Sequence, residues 1–377
     1  MNSSTFTGSD VRRAPGLDVQ KLLVYRIGQI GDTVAALPSL WVLRSQFPRA
    51  KIVILSEIPA KKTHLPPETV LPHGGLVDGF EKYPGGSSLK NLWPAWRRIR
   101  QLRREGFDTL VYLTPSGRTA KQRLRDRWFF RLCGITRVLG TRGFAPELRP
   151  RRADGTLPVL PREADALLAR LAADGLPVPP AGEGRMDLCL TEAEREKARQ
   201  WWQANGHPVT PPGWVAICPG AKMASKLWPW ERYAEVGGQL IREFGLLPVV
   251  IGGPEDREVG LKLLAAWGTG LCAAGQLSVR ESAALMETSR LYLGNDTGVM
   301  HLAAAAGRPC VAVFSSQDWP GIWEPYGEGH QVLRFAVPCA GCRLAVCDRQ
   351  LECLRGIEVQ QVYAACTAVL GRSGSGF

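Results

Sequence analysis

Short apolar runs alternate with longer segments of helical period along almost the whole chain. In the first half the runs are Leu22–Arg26, Ile52–Leu55 and Thr109–Leu113, separated by amphipathic stretches over Thr33–Phe47, Leu89–Glu105 and Arg118–Cys133. In the second half the runs are Trp214–Cys218, Leu247–Ile251, Leu291–Leu293 and Pro309–Phe314. Between and before them lie helical patterns over Thr191–Asn205, Glu231–Phe244, Asp256–Trp267 and Val279–Thr288, the last opened by the capping box Ser278-Val-Arg-Glu281. A short apolar run bounded by turn residues reads as a strand buried on both faces. Strict alternation of such strands with helices predicts a mainly parallel α/β sheet in each half. Pro59–Gly86 is rich in proline and glycine, and Gly175–Gly184 marks the linker. The expected organisation is a tail over residues 1–20 and two facing Rossmann-like domains, 21–183 and 184–353, with a cleft between them.

Composition changes this picture mainly through charge. The net charge is +12. Residues 1–180 carry 29 Lys/Arg against 15 Asp/Glu, a net +14, and the remaining residues carry 18 against 20, a net −2. The excess is concentrated in Arg97, Arg98, Arg100, Arg103 and Arg104, and in Arg118, Lys121, Arg123, Arg125, Arg127 and Arg131. Such density attracts a polyanion, whether nucleic acid, an acidic membrane surface or a phosphorylated substrate; a solvated helix face that serves solubility is the alternative. No stretch reaches the roughly 18–20 apolar residues that span a bilayer. The polar N-terminus lacks the apolar core of a signal peptide, which points to the cytoplasm.

Candidate chemistry clusters where strands end. Asp32 follows the turn Gly28-Gln-Ile-Gly31 at the carboxyl end of the first strand, where open α/β sheets bind ligands, and is the candidate general base. The competing reading makes Asp32 the N-cap of a helix starting at Thr33. The turn is not G-x-G-x-x-G and no acidic residue ends the second strand, so a nicotinamide cofactor is not supported. Lys226, just before Trp228-Pro229, can neutralise a leaving diphosphate, and Glu255 can accept hydrogen bonds from ribose hydroxyls. The chain contains no Asp-x-Asp pair, so a helix N-terminus and a lysine, and not a carboxylate-held metal, would stabilise a leaving diphosphate.

The run Gly294-Asn-Asp296-Thr297-Gly298-Val-Met-His301 lies between a strand and an Ala-rich helix. Backbone N–H groups at such a helix start, with the helix dipole, favour an anion. A capped turn with no ligand is the alternative. The Asp-Thr-Gly triplet also occurs in aspartic proteases, but those need two copies in an all-β setting.

Taken together these residues resemble glycosyltransferase family 9, the heptosyltransferases of lipopolysaccharide core assembly. The likeness rests on Arg26-x4-Gly31-Asp32-x5-Pro38, on Pro219-Gly-x5-Lys226-x-Trp228-Pro229, and on Gly294-x-Asp296-Thr297-Gly298-x2-His301-x2-Ala304-Ala305. Trp323-x2-Tyr326-Gly327 and the clustered cysteines add to it. It implies a GT-B fold, with acceptor on the first domain and nucleotide sugar on the second, and transfer with inversion, usually from ADP-heptose. By position, Asp32 matches the general base, Lys226 the diphosphate lysine, Asp296, Thr297, Gly298 and His301 the donor loop, and Glu255 a ribose-binding glutamate. Ala221-Lys222 departs from the Thr-Thr pair of some heptosyltransferases. Gly31, Arg118, Arg123 and Arg127 are the expected acceptor contacts, and residues 354–377 are expected to form a helix that packs back on the first domain. The acceptor is expected to be an anionic lipid-linked saccharide reached at the inner membrane face, and not nucleic acid, because the basic segments lack a nucleic-acid module. A nucleotide-sugar epimerase or hydrolase, or an inactive binding protein, are the alternatives.

Ten cysteines in a reducing compartment argue against a disulfide framework. Cys339-x2-Cys342-x4-Cys347-x5-Cys353 has the makings of a zinc site, but the x4 and x5 spacings are looser than in paired C-x2-C arrays. No cofactor is expected for the chemistry, and reduced thiols are favoured over structural zinc.

Overall fold

The computed structural model describes residues 18–58, 65–72, 74–83, 92–144, 151–152, 154–207 and 213–373. The expected tail lies almost entirely outside the described residues, as do Leu89–Asn91 of the third predicted helix. The chain divides into two compact units. The N-terminal unit comprises Met1–Arg149 with Glu163–Arg185, and the C-terminal unit comprises Pro150–Arg162 with Met186–Phe377. The predicted boundary at residue 183 thus falls two residues short of the division, but residues 150–162 belong with the second unit and not the first. A backbone hydrogen bond from Leu160 to Pro320 ties that segment down.

The N-terminal unit runs β1 (Lys21–Tyr25), α1 (Ile30–Ala35), α2 (Leu37–Gln46), β2 (Lys51–Glu57), β3 (Gly79–Tyr83), α3 (Leu92–Glu105), β4 (Thr109–Tyr112), α4 (Ala120–Leu132), β5 (Arg137–Leu139) and α5 (Glu163–Ala173). Its sheet has the order β3-β2-β1-β4-β5, and each recorded pairing is parallel. Alternate residues of the central strands (Leu23, Tyr25, Leu110, Tyr112) share one core with Ile99 and Leu102 of α3 and Phe130 of α4. The predicted helix over Thr33–Phe47 begins earlier, at Ile30, and is broken at Ala36, with a proline in the first turn of α2. β2 runs past the predicted Leu55 to Glu57, so an acidic residue does end the second strand, and β3 lies inside the stretch whose prolines and glycines masked it.

In the C-terminal unit come α6 (Glu192–Ala204), β6 (Trp214–Cys218), α7 (Trp230–Phe244), β7 (Leu247–Val250), α8 (Arg257–Trp267), β8 (Leu271–Cys272), α9 (Val279–Met286), β9 (Leu291–Asn295), α10 (Gly298–Ala305), β10 (Cys310–Val313), β11 (Gln331–Leu333), α11 (Glu352–Arg355) and α12 (Val359–Ser373). The order β11-β10-β9-β6-β7-β8 is all parallel and is the doubly wound pattern of a dinucleotide-type sheet. Ser278 caps α9 in the predicted box.

The final helix departs from expectation. Val362, Cys366, Val369 and Leu370 of α12 are part of the C-terminal unit's own core, with Leu240, Val311 and Val313. Their spacing of three, four and seven forms one apolar stripe, and its contacts are with α7 and with β9 to β11. The helix therefore completes the core of this unit.

Candidate functional site

In both sheets the strand order reverses beside the first strand of the unit, and Asp32, Lys226 and Asp296 follow β1, β6 and β9, strands that border those points. In the N-terminal unit β1 leads into the turn that presents Asp32. Gly28 takes a φ of +120°, a conformation open to glycine, and a Cβ there would stand 2.5 Å from the Asp32 carboxylate. Asp32 is not the N-cap. Gln29 holds that position, and Asp32 sits at the third helical residue, accepting the Gln29 backbone N–H at 2.8 Å. Its other oxygen lies 3.5 Å from Arg26 Nη2, and its side chain is 19% exposed. The carboxylate is thus aimed by two contacts and still reached by solvent.

Beneath it lies a buried charge cluster that sequence reasoning missed. Arg26 donates to the Leu113 carbonyl at 2.5 Å, Arg170 donates to the Thr114 carbonyl at 2.7 Å, and Glu163 accepts the Ser116 N–H at 2.8 Å. All three side chains are buried. Burial raises the Glu163 carboxyl pKa and lowers both guanidinium pKa values, Arg170 to about 10; attraction between Glu163 and each arginine opposes these shifts, while repulsion from Arg26 adds to that of Arg170. These contacts bind the end of β4 to β1 and α5 and so fix the floor under Asp32. The one available signal was that Arg26, Glu163 and Arg170 sit within otherwise apolar segments.

The predicted acceptor residues are spread. Gly31 lies in α1 beside Asp32. Arg118 is held by Asp126 at 2.6 Å and by the Tyr112 and Tyr25 hydroxyls at 3.0 and 3.1 Å. Arg123 donates to the Arg118 carbonyl and stacks over Phe144. Arg127 is on the exposed side of α4.

The C-terminal unit brings two of the predicted donor residues into contact. Lys226 Nζ meets Asp296 Oδ2 at 2.5 Å, joining the loop after β6 to the loop after β9. Asn295 stitches the same loops. Its side-chain NH2 donates to the Pro219 carbonyl at 2.7 Å, and its Oδ1 accepts from the Trp228 N–H and the Tyr233 hydroxyl. Thr297 is the N-cap of α10, but no side chain caps the helix, and its buried Oγ1 has no hydrogen-bond partner of good geometry. The first-turn amides, from Gly298 on, have no intrahelical acceptor and no side-chain cap, an arrangement that with the helix dipole favours an anion. His301 is buried in the second turn, 6.4 Å from the Trp323 ring.

Glu255 is exposed. Its neighbour Asp256, which sequence reasoning passed over, is the carboxylate pressed against the loop. A Cβ at Gly220 would stand 1.7 Å from Asp256 Oδ1, and the Gly253 N–H donates to Oδ2. Burial, with Glu255 adding to it and that hydrogen bond opposing it, raises Asp256 to about 6.

The four clustered cysteines are all free thiols, and Cys347 Sγ accepts the N–H groups of Arg349 and Leu351. Among the described residues no group of three or more His, Cys, Asp or Glu side chains is arranged to hold a metal ion.

Residues 163–351, half of the chain, match the sequence profile of glycosyltransferase family 9 (heptosyltransferase). The chain belongs to glycosyltransferase family 9. Lipopolysaccharide heptosyltransferase 2 of Escherichia coli K12 is 35% identical over 127 residues. That match covers 32% of this chain and 36% of the relative, so the chain spans about a third of the length of the curated family 9 protein it matches there. Among solved structures, a family 9 glycosyltransferase from Veillonella parvula superposes with a TM-score of 0.71 at 20% identity, over 95% of this chain and 99% of that one. The E. coli heptosyltransferase WaaC with ADP-2-deoxy-2-fluoro heptose superposes with a TM-score of 0.61 at 15% identity, over 93% and 99% of the two chains. At these identities the likeness is one of fold.

Proposed function

We propose that this family 9 chain transfers a heptose, with inversion, from ADP-heptose to an anionic, lipid-linked saccharide of the lipopolysaccharide core type at the inner membrane face. The observation that carries the reading is the uncapped start of α10 beside Lys226, at the point where the C-terminal sheet reverses its strand order. A diphosphate bound there accepts the α10 amides and takes the lysine as counter-charge. Both grow in worth as the sugar departs and charge collects on the leaving oxygens. Asn295 keeps the two loops at a fixed separation. In the N-terminal unit Asp32 takes the proton of the attacking acceptor hydroxyl. Arg26 and the Gln29 amide hold its carboxylate in one orientation, and positioned proton transfer contributes roughly 10²–10⁴-fold. The neighbouring fold solved with a fluorinated ADP-heptose supports adenine over uracil as the base to try first.

The test is turnover of ADP-heptose by the parent and by Asp32→Asn, with and without an acidic core acceptor. Asparagine keeps the acceptor for the Gln29 N–H, so folding and ADP binding should stay at parent levels while turnover falls by about 10²-fold or more. Near-parent turnover in the variant would remove Asp32 from the chemistry. Donor consumption without acceptor would turn the reading toward a hydrolase.

A further inference from the structure

The outer side of α4 has no role in the chemistry above, and it is unusually apolar for a solvent face. Leu124, Trp128 and Leu132 are 58, 61 and 52% exposed. A spacing of four places them on one stripe, opposite the buried Asp126 and Phe130. Lys121, Arg125 and Arg131 fall within or beside that stripe and Arg127 flanks it, all exposed. Arg125 reaches Asp126, whereas Lys121, Arg127 and Arg131 make no ion pair among the described residues. α3 packs beside α4 and adds the half-exposed Trp96 with exposed Arg97, Arg100, Arg103 and Arg104. The two helices together carry ten Lys/Arg and two acidic residues, one of which, Asp126, is consumed by Arg118.

Isolated surface leucines need no explanation, but three large apolar side chains in register among unpaired cations do. A second copy of this face would set like charge against like. Nucleic acid would answer the cations and leave both leucines without a partner. An anionic bilayer answers both: apolar side chains of a basic helix sink about 5–10 Å to the headgroup–acyl boundary, and arginine stems reach back to the phosphates. We infer that α4, with α3 beside it, is a docking face that seats Leu124, Trp128 and Leu132 in the interfacial layer of an anionic phospholipid bilayer. The partner deepens the reading of a lipid-linked acceptor and rests on it for its purpose. The binding itself requires no sugar transfer.

Sedimentation of the full chain with vesicles tests it, using phosphatidylglycerol–phosphatidylcholine against phosphatidylcholine alone. The parent should partition onto the anionic vesicles only, and less with added salt. Leu124→Ser/Trp128→Ser/Leu132→Ser should lose about tenfold or more in partition. Lys121→Glu/Arg131→Glu should lose roughly fivefold for each cation removed, and more for reversal. Trp128→Phe should partition as the parent does. All these side chains are exposed, so the thermal midpoint and the ADP-induced shift should stay at parent values. Parent-like partition by the triple serine variant would overturn the docking face, as would equal binding to both vesicle types or preference for a single-stranded oligonucleotide that the serine changes do not alter. A chain that partitions as expected yet ignores ADP would defeat the donor reading and leave the docking face standing.

Discussion

Lys226 and Asp296 are asked to do two things, hold two loops together and meet a diphosphate, and a double-mutant cycle separates them. The side chains are 15% and 7% exposed, with Nζ and Oδ2 2.5 Å apart. Removing one partner of a fully buried pair costs about 3–5 kcal/mol, because the remaining charge is stranded. Two features reduce that figure. The pair is open on one side, and the positive Arg334 is near enough to interact with Asp296. About 2 kcal/mol is therefore expected for Lys226→Met, which keeps the aliphatic stem. For a unit of this size that is a fall of about 4–8 °C in its thermal transition. Asp296→Asn should cost less, since Lys226 can turn to water. The double variant should regain about 1 kcal/mol over the sum of the singles. Calorimetry reads this half of the cycle. Titration with ADP reads the other. Lys226→Met should weaken ADP by about 10–100-fold, the worth of a charge-assisted hydrogen bond. Asp296→Asn should bind ADP at least as well as the parent, because a carboxylate competing for the lysine is gone. Strictly additive stabilities would show that the ion pair does not hold the loops, and parent-like ADP affinity in Lys226→Met would remove it as the phosphate cation.

Two further outcomes follow from the backbone and from burial. Gly28→Ala forces a side chain into a φ of +120° and within 2.5 Å of the Asp32 carboxylate. It should cost about 1–3 kcal/mol and most of the turnover, while ADP affinity, read in the other unit, stays unchanged; retained turnover would show that Asp32 tolerates displacement. Asp256 is raised by burial to about 6. Its contribution to stability is therefore complete below the unfolded value near 3.9 and is lost as pH rises through about 6. Asp256→Asn cannot ionise and still accepts the Gly253 N–H, so its stability relative to the parent should grow by about 2–3 kcal/mol between pH 4 and 8. Urea midpoints at the two pH values check this, and a difference that does not change with pH would refute the buried-carboxylate reading.

What could be read ahead of the structure depended on how local the cause was. β6 was legible to the residue because Trp-Val-Ala-Ile-Cys is apolar on both faces and bounded by glycine and proline. The start of α10 was legible because an Asp-Thr-Gly turn between strand and helix has few other uses. Glu255 was named and Asp256 was not, because two adjacent acids in one turn look alike in sequence; the close approach of Gly220 and Gly252 to Asp256, and of Gly253 to Glu255, distinguishes their settings. Arg118 read as an acceptor contact from its charge, yet its first partner is Asp126, eight residues further on and buried with it. α5 was hidden between prolines at 158, 161, 177, 179 and 180, although Leu167, Leu168 and Leu171 have helical spacing. Nothing local announces that α12 covers the sheet of its own unit.

α5 carries a consequence for how the chain is made. The polypeptide leaves the N-terminal unit after Arg149, contributes residues 150–162 to the other unit, and returns for Glu163–Arg185. α5 packs on α2, and its far end is tied to the end of β5 through Asp174 and the Gly140 N–H at 2.6 Å. During synthesis, β1 to β5 are therefore complete while one flank of their sheet is bare and Arg26 lies at a strand end without Glu163. At about 5–20 residues per second, the interval between β5 and the end of α5 is on the order of 2–7 s. For that time the nascent unit exposes the apolar surface that Leu167, Leu168 and Leu171 will later cover. A ribosome that stalls in this interval holds a sheet that lacks α5, whereas one that has passed Arg185 has synthesised every residue of the unit.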